Sequence, residues 1–454
     1  MEKYDIPSRN PFTDTSTMAT TTTRPNSHRS SEIHSSVAAR APAKRKFMSY
    51  RLRGEYEKPW VNDKRLKRSR MGNLIIYGFI VGALLLSAWI NYNTTKQVGR
   101  HDYCLLLDEN FQNINPAVWN REVQVGGFGT GSFDWTTSDS GNSYTDSEGL
   151  HIVPSLTTQS THITPAQIES GYTVNLTKAG GDGSCTGTTV EQCSVHSNST
   201  LGVMIPSVQS ARFNTKGKVS IKYGRVEVVA KFPVGDWLWP AIWMMPENDT
   251  YGPWPASGEI DIAESRGNGV DYPLGGRDAV STTLHWGPTT KTDAYWRTSH
   301  SKHIRRTDFS KGFHTFGLEW SQDYLFTYLD NRLEQVLYWS FPSGQTMWQA
   351  GHFAGETVNQ SLLVDPWSQT GRTNTPFDQP FYMILNVAVG STNGFFPDGM
   401  GNKPWTDEGN APSDFYKALS AWYPTWATGE TRGMTVKSVK IWQEGTCSKS
   451  KTGS

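Results

Sequence analysis

The sequence has almost no net charge: its 454 residues contain 43 Lys and Arg against 42 Asp and Glu, a formal charge of +1. This balance gives no electrostatic reason to expect nucleic acid as a partner. There is also no nucleotide-binding glycine loop, no Ser/His/Asp triad signature and no zinc motif. No internal repeat and no alternation of strand and helix patterns is visible, and a long helical bundle is not indicated. What remains is a loop-rich, aromatic-rich chain with 18 Trp.

Cysteine is scarce, with four residues in the whole chain. None forms a CxxC pair or lies at ligand spacing from a histidine, so no metal site is predicted. The spacing favours a short loop from Cys185 to Cys193 and a long closure from Cys104 to Cys447, one of three possible pairings. If the long pair forms, the two ends of one domain are neighbours.

One uncharged stretch, residues 71–95, follows a polar and basic N-terminal region. Its composition of about 20 apolar positions is enough to cross a ~30 Å hydrocarbon core. It begins too late and is too long for a cleaved signal peptide, and apolar residues on every face argue against a buried globular helix. Residues 1–43 are rich in Ser, Thr, Pro, Asn and Arg. We therefore predict a disordered basic tail over 1–70 and a transmembrane signal anchor over 71–92.

The charges on either side of the anchor predict its orientation. Eleven Lys and Arg lie between residues 44 and 70, whereas only Lys96 and Arg100 follow closely. The tail should therefore be cytosolic and the rest lumenal or extracellular, as in a single-pass type II membrane protein. After a short stalk (93–103) we predict one domain over 104–447 and a tail over 448–454.

Candidate glycosylation sites agree with this orientation, because all of them follow the apolar stretch, as do all four cysteines. Glycans and disulfides both form on the oxidising side of the membrane. The sequon at Asn93 abuts the membrane and is a poor acceptor. The candidates are Asn175, Asn198, Asn248 and Asn359.

The region after Cys104 has the texture of a β protein. Short alternating runs are separated by Gly, Pro, Asn and Asp, as in residues 219–232, 324–339 and 435–443. One short helical pattern begins at Ser413. Without strand–helix alternation, two packed antiparallel sheets are the most economical architecture, so the predicted fold class is an all-β sandwich.

The main chemical signal is a cluster of three carboxylates in residues 259–264, EIDIAE. Strand alternation places Glu259 and Asp261 on one face and the intervening isoleucines in the core. Strict alternation would bury Glu264 among apolar side chains, which is costly, so a β-bulge near residues 262–264 is predicted to return it to the face of Glu259. Two glutamates so placed suit a retaining glycosidase. Repulsion among the three should keep one protonated at neutral pH, with Glu264 the candidate. The alternative is an acidic solvated edge.

Tryptophans around the carboxylates favour a carbohydrate ligand. Indole faces stack on the C–H faces of sugars, while a few polar groups bind the hydroxyls. His285 and Trp286 follow in another predicted strand and are candidate groove residues. Some of the tryptophans must belong to the core. The neighbouring tryptophans are Trp237, Trp239, Trp243 and Trp254.

The segment GEIDIAESRGN resembles the ExDxxE signature of glycoside hydrolase family 16, in its laminarinase-like branch of β-1,3-glucanases and β-1,3-glucan-binding proteins. Further blocks are similar across about residues 104–445. The resemblance implies a concanavalin A-like β-jelly roll, with Glu259 as nucleophile, Asp261 as assisting carboxylate and Glu264 as general acid/base. It implies no required cofactor; some relatives bind a structural Ca²⁺, but no Asp-rich loop identifies such a site here. The groove residues that it suggests are Trp239, Trp243, His285, Asn386 and Arg225.

Three functions remain open on the sequence. The first is a retaining glycoside hydrolase acting on β-1,3-glucan or mixed β-1,3;1,4-glucan. The second is a transglycosylase in cell-wall β-glucan assembly. The membrane anchor favours this function, because the anchor and tail resemble those of type II anchored family members involved in such assembly. The third is a membrane-anchored glucan-binding receptor without catalysis, since some binding proteins of this family lack the glutamates. Both glutamates are present here, which favours catalysis.

Overall fold

The computed structural model describes residues 54–55, 57–97, 101–342 and 344–447. The chain divides into two compact units, Met1–Gln97 and Val98–Ser454. Most of the predicted disordered tail, and all of the predicted C-terminal tail, lie outside the described residues. The prediction of disorder is wrong for residues 59–62 and 64–70, which are helical. The predicted stalk begins inside a helix that extends to Gln97.

The first unit contains a short 3-10 helix, Pro59–Asn62, and the long helix α1, Lys64–Gln97. The Asp63 carboxylate accepts a hydrogen bond from the Arg65 backbone N–H at 2.8 Å, which caps the helix start. Lys and Arg are good helix formers, so the helix starts in the basic region before the apolar stretch. Its Lys64–Asn93 portion contains a stretch that is long and apolar enough to span a membrane.

The second unit is built mainly from strands. The strands are β1 (Tyr103–Glu109), β2 (Asn120–Arg121), β3 (Asp134–Thr136), β4 (Ser143–Asp146), β5 (Gly149–Ile152), β6 (Ser155–Leu156), β7 (Thr173–Asn175), β8 (Ser194–His196), β9 (Val208–Ser210), β10 (Arg212–Asn214), β11 (Ser220–Ile221), β12 (Gly224–Lys231), β13 (Leu238–Pro246), β14 (Glu259–Glu264), β15 (Ala279–His285), β16 (Ser299–His303), β17 (His314–Trp320), β18 (Tyr324–Leu329), β19 (Gln335–Ser340), β20 (Thr357–Val358), β21 (Ser361–Leu362), β22 (Phe381–Val389) and β23 (Met434–Glu444). The helices of this unit are α2 (Thr157–Ser160), α3 (Pro165–Glu169), α4 (Val190–Cys193), α5 (Met347–Gly351), α6 (Ala411–Lys417) and α7 (Leu419–Trp422).

Two eight-stranded antiparallel sheets form the sandwich. In the first, called here the back sheet, the order is β19-β18-β17-β12-β23-β5-β4, with β1 also paired to β23. In the second, called the site sheet, the order is β16-β15-β14-β13-β22-β10-β2, with β11 also paired to β22. Inward-facing side chains of both sheets belong to one apolar cluster. The predicted all-β jelly-roll sandwich is confirmed.

Strand alternation determines which face of each strand packs on the core. Strand β12 alternates strictly between buried and half-buried residues, so one face of the back sheet packs on the core. The predicted strand over 219–232 is interrupted at Tyr223, where φ is 62°, and becomes β11 and β12. The predicted hairpin over 324–339 is confirmed as β18 and β19, and the final strand as β23.

Both predicted disulfides are confirmed: Cys104 bonds to Cys447, and Cys185 to Cys193. The long bridge joins β1 to the segment just after its partner strand β23, since Cys104 lies opposite Gln443 in the ladder and Cys447 follows the end of β23 at Glu444. The two ends of the domain are therefore neighbours.

The glycosylation candidates differ in exposure. Asn248 and Asn359 are exposed, whereas Asn175 and Asn198 are half-buried and their side-chain oxygens accept backbone hydrogen bonds. Asn93 lies within α1. Glycosylation at these positions remains a prediction.

Candidate functional site

A β-bulge in β14 is the local feature that creates the site. On the β13 side the pairing passes from Ala263 directly to Asp261, and on the β15 side it shifts between Asp261 and Glu264. Ile262 is therefore an extra residue with no partner on β13. The bulge predicted from the cost of burying Glu264 is confirmed.

The bulge places three carboxylates on the outward face of the site sheet. Directly paired residues of antiparallel strands point to the same face. Ile260 and Ala263 are fully buried on the opposite, core-facing side. The cross-strand partners of Glu259, Asp261 and Glu264 are His285, Trp243 and Ala241.

Each glutamate of the cluster accepts a hydrogen bond from an indole. Trp254 Nε1 donates to Glu259 Oε2 at 2.6 Å, and Trp239 Nε1 donates to Glu264 Oε1 at 2.8 Å. Trp254 is 37% exposed and Trp239 only 8%. Trp254 thus offers a surface to a ligand, whereas the main contact of Trp239 is with Glu264.

His285 links the carboxylates to a neighbouring loop. Its Nε2 lies 3.3 Å from Asp261 Oδ2, and its Nδ1 is 2.5 Å from Asp293 Oδ2. The rings of Trp254 and Tyr295 flank the imidazole, with centroids at 5.6 and 5.3 Å. Tyr295 is 47% exposed. Two half-exposed aromatic rings therefore border the Glu259 end of the cluster.

Burial and mutual repulsion favour protonation of the carboxylates. Burial raises the pKa of Glu259 and the charge of Asp261 raises it further; burial likewise raises the pKa of Asp261, followed by the charge of Glu264. Burial also raises the pKa of Glu264. Repulsion therefore acts on all three groups, and burial and repulsion together raise the pKa of Glu259 to about 8 and that of Asp261 to about 6. The prediction that Glu264 is the group that holds the proton is not confirmed for the free site, because the pKa raised above neutral is that of Glu259.

His285 opposes this tendency. Burial alone would lower the pKa of His285, but Asp261, Asp293 and Glu259 outweigh it and hold that pKa well above its ordinary value. The resulting imidazolium lowers the pKa of Glu259 and of Glu264. The site therefore contains three carboxyl groups around one half-buried cation.

Removing this cation should change the pH dependence of activity. In His285→Gln the pKa of Glu259 rises, because its carboxylate loses a neighbouring positive charge. A nucleophile must be ionised, so the acidic limb of the kcat/KM profile should move to higher pH. Asp293→Asn should move it in the same direction by less, since Asp261 still holds the imidazole. Profiles measured between about pH 4 and 9 check this.

A matched control is His300→Gln, because His300 is exposed on β16 and belongs to the same sheet. Its profile should match that of the unmodified protein. An unchanged acidic limb in His285→Gln would contradict the electrostatic role given to His285.

Trp243 and Asn386 form the next part of the site face, as predicted. Trp243 Nε1 donates to Asn386 Oδ1 at 2.7 Å. The Arg212 guanidinium lies over the Trp243 ring at 4.7 Å and over the Phe128 ring at 4.2 Å, and its Nε donates to Glu122 at 2.6 Å. This row continues the face from β14 across β13, β22 and β10.

The prediction of Trp286 as a groove residue is wrong. Its side chain is 0% exposed, its Nε1 donates to Thr298 at 2.9 Å, and its ring packs near Phe353 and Trp367. The reason is strand alternation: His285 points outward, so the next residue points into the core.

The prediction of Arg225 as a groove residue is also wrong. Arg225 lies on β12 of the back sheet and points away from the core, since its neighbours Gly224 and Val226 are buried. Its guanidinium contacts Glu227, Tyr328 and the Trp442 ring. It is therefore separated from the carboxylates by the whole sandwich.

Several site residues were not identified from the sequence. Asp293 and Tyr295 come from the β15–β16 connection, and Phe395 and Arg266 pack beside Trp239 and Glu264. A signal for Asp293 existed, because a histidine among carboxylates needs a second acceptor to fix its ring. No local pattern indicated Phe395, which follows β22 by a loop.

Among the residues that the structure describes, two groups have side chains of metal-ligand type. One is Glu259, Asp261 and His285, and the other is Asp146, His151 and Glu430, each with ligand atoms within 4.8 Å of one another. The raised pKa of His285 keeps its imidazole protonated, so it is a poor metal ligand. His151 is held between Asp146 and Thr435 by hydrogen bonds.

Proteins with similar sequences include glucan-binding proteins and glucanases. Residues 182–368 match the model of glycosyl hydrolases family 16. The chain is 40% identical over 349 residues to a β-1,3-glucan-binding protein of Penaeus monodon, a match that covers 75% of this chain and 90% of that protein. It is 36% identical over 189 residues to glucan endo-1,3-β-glucosidase A1 of Niallia circulans, covering 40% of this chain and 22% of that protein.

Among solved structures, the laminarinase from Rhodothermus marinus is similar, with 24% identity and a TM-score of 0.45, covering 77% of this chain and all of that one. The family model spans β14 and its three carboxylates. On the extent of the match to the Penaeus monodon protein and on the matched model, this chain belongs to glycoside hydrolase family 16.

Proposed function

We propose that this protein is a retaining glycoside hydrolase that acts on β-1,3-glucan. The observation that carries the proposal is the bulge in β14, which brings Glu259 and Glu264 to one face, each bound by an indole N–H. Retaining glycosidases need two such carboxyl groups, one as nucleophile and one as acid/base. The half-exposed rings of Trp254 and Tyr295 supply surfaces for sugar stacking.

In the first step, the Glu264 carboxyl group transfers its proton to the glycosidic oxygen while the Glu259 carboxylate bonds to the anomeric carbon and the C–O bond breaks. In the second step, the Glu264 carboxylate takes a proton from water, whose oxygen replaces Glu259 at that carbon. Asp261, paired with His285, keeps a cation beside both glutamates. The reaction uses only carboxyl groups and water, so it requires no cofactor.

Transglycosylation is the second candidate, since the same intermediate can react with another glucan hydroxyl. Incubation of the full chain in mild detergent with laminarin distinguishes the two reactions by reducing ends and chain lengths. Hydrolysis produces new reducing ends and shorter chains, and mixed-linkage glucan in parallel defines the linkage preference. Redistribution of chain lengths without new reducing ends would exclude hydrolysis as the main reaction.

A glucan-binding receptor without catalysis is the third candidate, because similar proteins such as that of Penaeus monodon are named for glucan binding. The paired carboxyl groups of this chain support catalysis instead. Binding of laminarin by the unmodified chain with no product after prolonged incubation would favour the receptor.

We also propose that α1 anchors the protein as a single-pass type II membrane protein. The apolar span of α1 and the excess of Lys and Arg before it support this orientation. The two disulfides support a lumenal or extracellular position for the sandwich. Free thiols in the chain from gently lysed cells would contradict this topology.

A further inference from the structure

Three side chains form a layered stack behind the Glu264 carboxyl group. The rings of Trp239 and Phe395 are 4.0 Å apart and inclined by only 8°. The Arg266 guanidinium lies 4.1 Å from the Phe395 ring centre. Its Nε and Nη2 also donate to the Phe395 carbonyl oxygen at 3.1 and 2.6 Å. Arg266 therefore fixes both the backbone and the ring of Phe395.

The stack ends on a single hydrogen bond, from Trp239 Nε1 to Glu264 Oε1 at 2.8 Å. An indole N–H only donates, so Oε1 must act as the acceptor. When Glu264 is protonated, its proton is therefore best placed on Oε2. The direction of the indole thus decides which oxygen carries the proton and where that oxygen points.

We propose that Arg266 and Phe395 are positioning residues that hold Trp239, and through it Glu264, so that Oε2 presents the catalytic proton to the glycosidic oxygen. This inference rests on the proposed function, in which Glu264 is the acid/base. Neither Arg266 nor Phe395 needs to touch the reacting atoms. The effect of Phe395 passes through the indole hydrogen bond, and Arg266 adds the direct effect of its charge on the pKa of Glu264.

Two features of Arg266 and Phe395 separate this role from ordinary core packing. Phe395 is half-buried, whereas the adjacent Phe396 is 0% exposed and packs against Trp237 and Trp405 in the core. Arg266 belongs to no ion pair between described residues, although its charge still lowers the pKa of Glu264 from a longer distance. A planar guanidinium on a ring is a geometry that Lys cannot reproduce.

Phe395→Ala tests the inference with two substrates. Laminari-oligosaccharides have a poor leaving group that needs the acid, whereas a 2,4-dinitrophenyl β-laminaribioside does not need protonation to leave. We expect kcat on the oligosaccharide to fall by about 10- to 100-fold, since a small misplacement of a catalytic group has effects of this size. The kcat/KM for dinitrophenol release reports only formation of the glycosyl-enzyme, and it should change by less than about threefold, because this step does not use acid catalysis with such a leaving group.

The pH profile gives an independent readout. The indole hydrogen bond lowers the pKa of Glu264, so its loss raises that pKa. In the pH–rate profile on the oligosaccharide, the alkaline limb should then move to higher pH while the acidic limb stays in place. Phe395→Tyr restores the stacked ring and should restore both the rate and the limb. Met400→Ala, at an exposed position further along the same loop, is the matched control.

The outcomes separate the inference from the proposed function. If the unmodified protein turns over neither substrate, the proposed hydrolase is wrong. If it turns over both, but Phe395→Ala slows both equally or leaves the alkaline limb in place, Phe395 is structural and the inference is overturned. Failure of Phe395→Tyr to recover activity would overturn it as well.

Discussion

Replacing Glu259 by glutamine is expected to reduce laminarin hydrolysis by on the order of 10⁴-fold or more, since a covalent nucleophile has no substitute. The amide keeps the shape of the side chain and its position beside Trp254, so glucan binding should persist. Reducing-end release and glucan affinity, measured on the same preparation, check the two parts. Glu356→Gln, at an exposed position on the loop before β20, is the matched control and should retain full activity.

Azide distinguishes the two glutamates by the product that forms. In Glu259→Gly, azide replaces the missing nucleophile and attacks the β-glycoside directly, so the glycosyl azide should have the α configuration. In Glu264→Gly, azide attacks the glycosyl-enzyme intermediate instead, so the product should be the β azide. The opposite pattern of products would exchange the roles proposed for the two residues. Retained turnover in Glu259→Gln would rule out Glu259 as the nucleophile.

Loss of the bridge between Cys104 and Cys447 is expected to have the largest effect on stability. The bridge closes a loop with a sequence separation of 343 residues, against 8 for the bridge from Cys185 to Cys193. The conformational entropy that a bridge removes from the unfolded chain grows with the logarithm of loop length. Replacing both cysteines of the long bridge by alanine should lower the free energy of unfolding by about 2–5 kcal/mol, roughly twice the loss for the short bridge.

Urea denaturation followed by tryptophan fluorescence measures this difference. The Cys185→Ala/Cys193→Ala double variant is the control, because it removes the same chemistry from a short loop. An unchanged midpoint without the long bridge would show that pairing of β1 with β23 alone holds the chain ends together.

The sequence alone determined the features that depend on local alternation and on the cost of burial. The carboxylates of residues 259–264 could be placed because isoleucines between them had to face a core. The bulge followed because an ionised Glu264 could not be buried among apolar groups. The same rule, applied to His285, would have sent Trp286 into the core, where it lies.

Only the tertiary structure decided which distant segments reach the carboxylates. Arg225 points outward from its strand, as a groove residue would, but the strand order puts β12 in the back sheet. No local sequence pattern shows to which sheet a strand belongs. Asp293 and Phe395 enter the site from loops, at 29 and 131 residues from Glu264 in sequence. Their positions depend on how those loops pack, because the chain folds them against β14 through contacts that alternation does not specify.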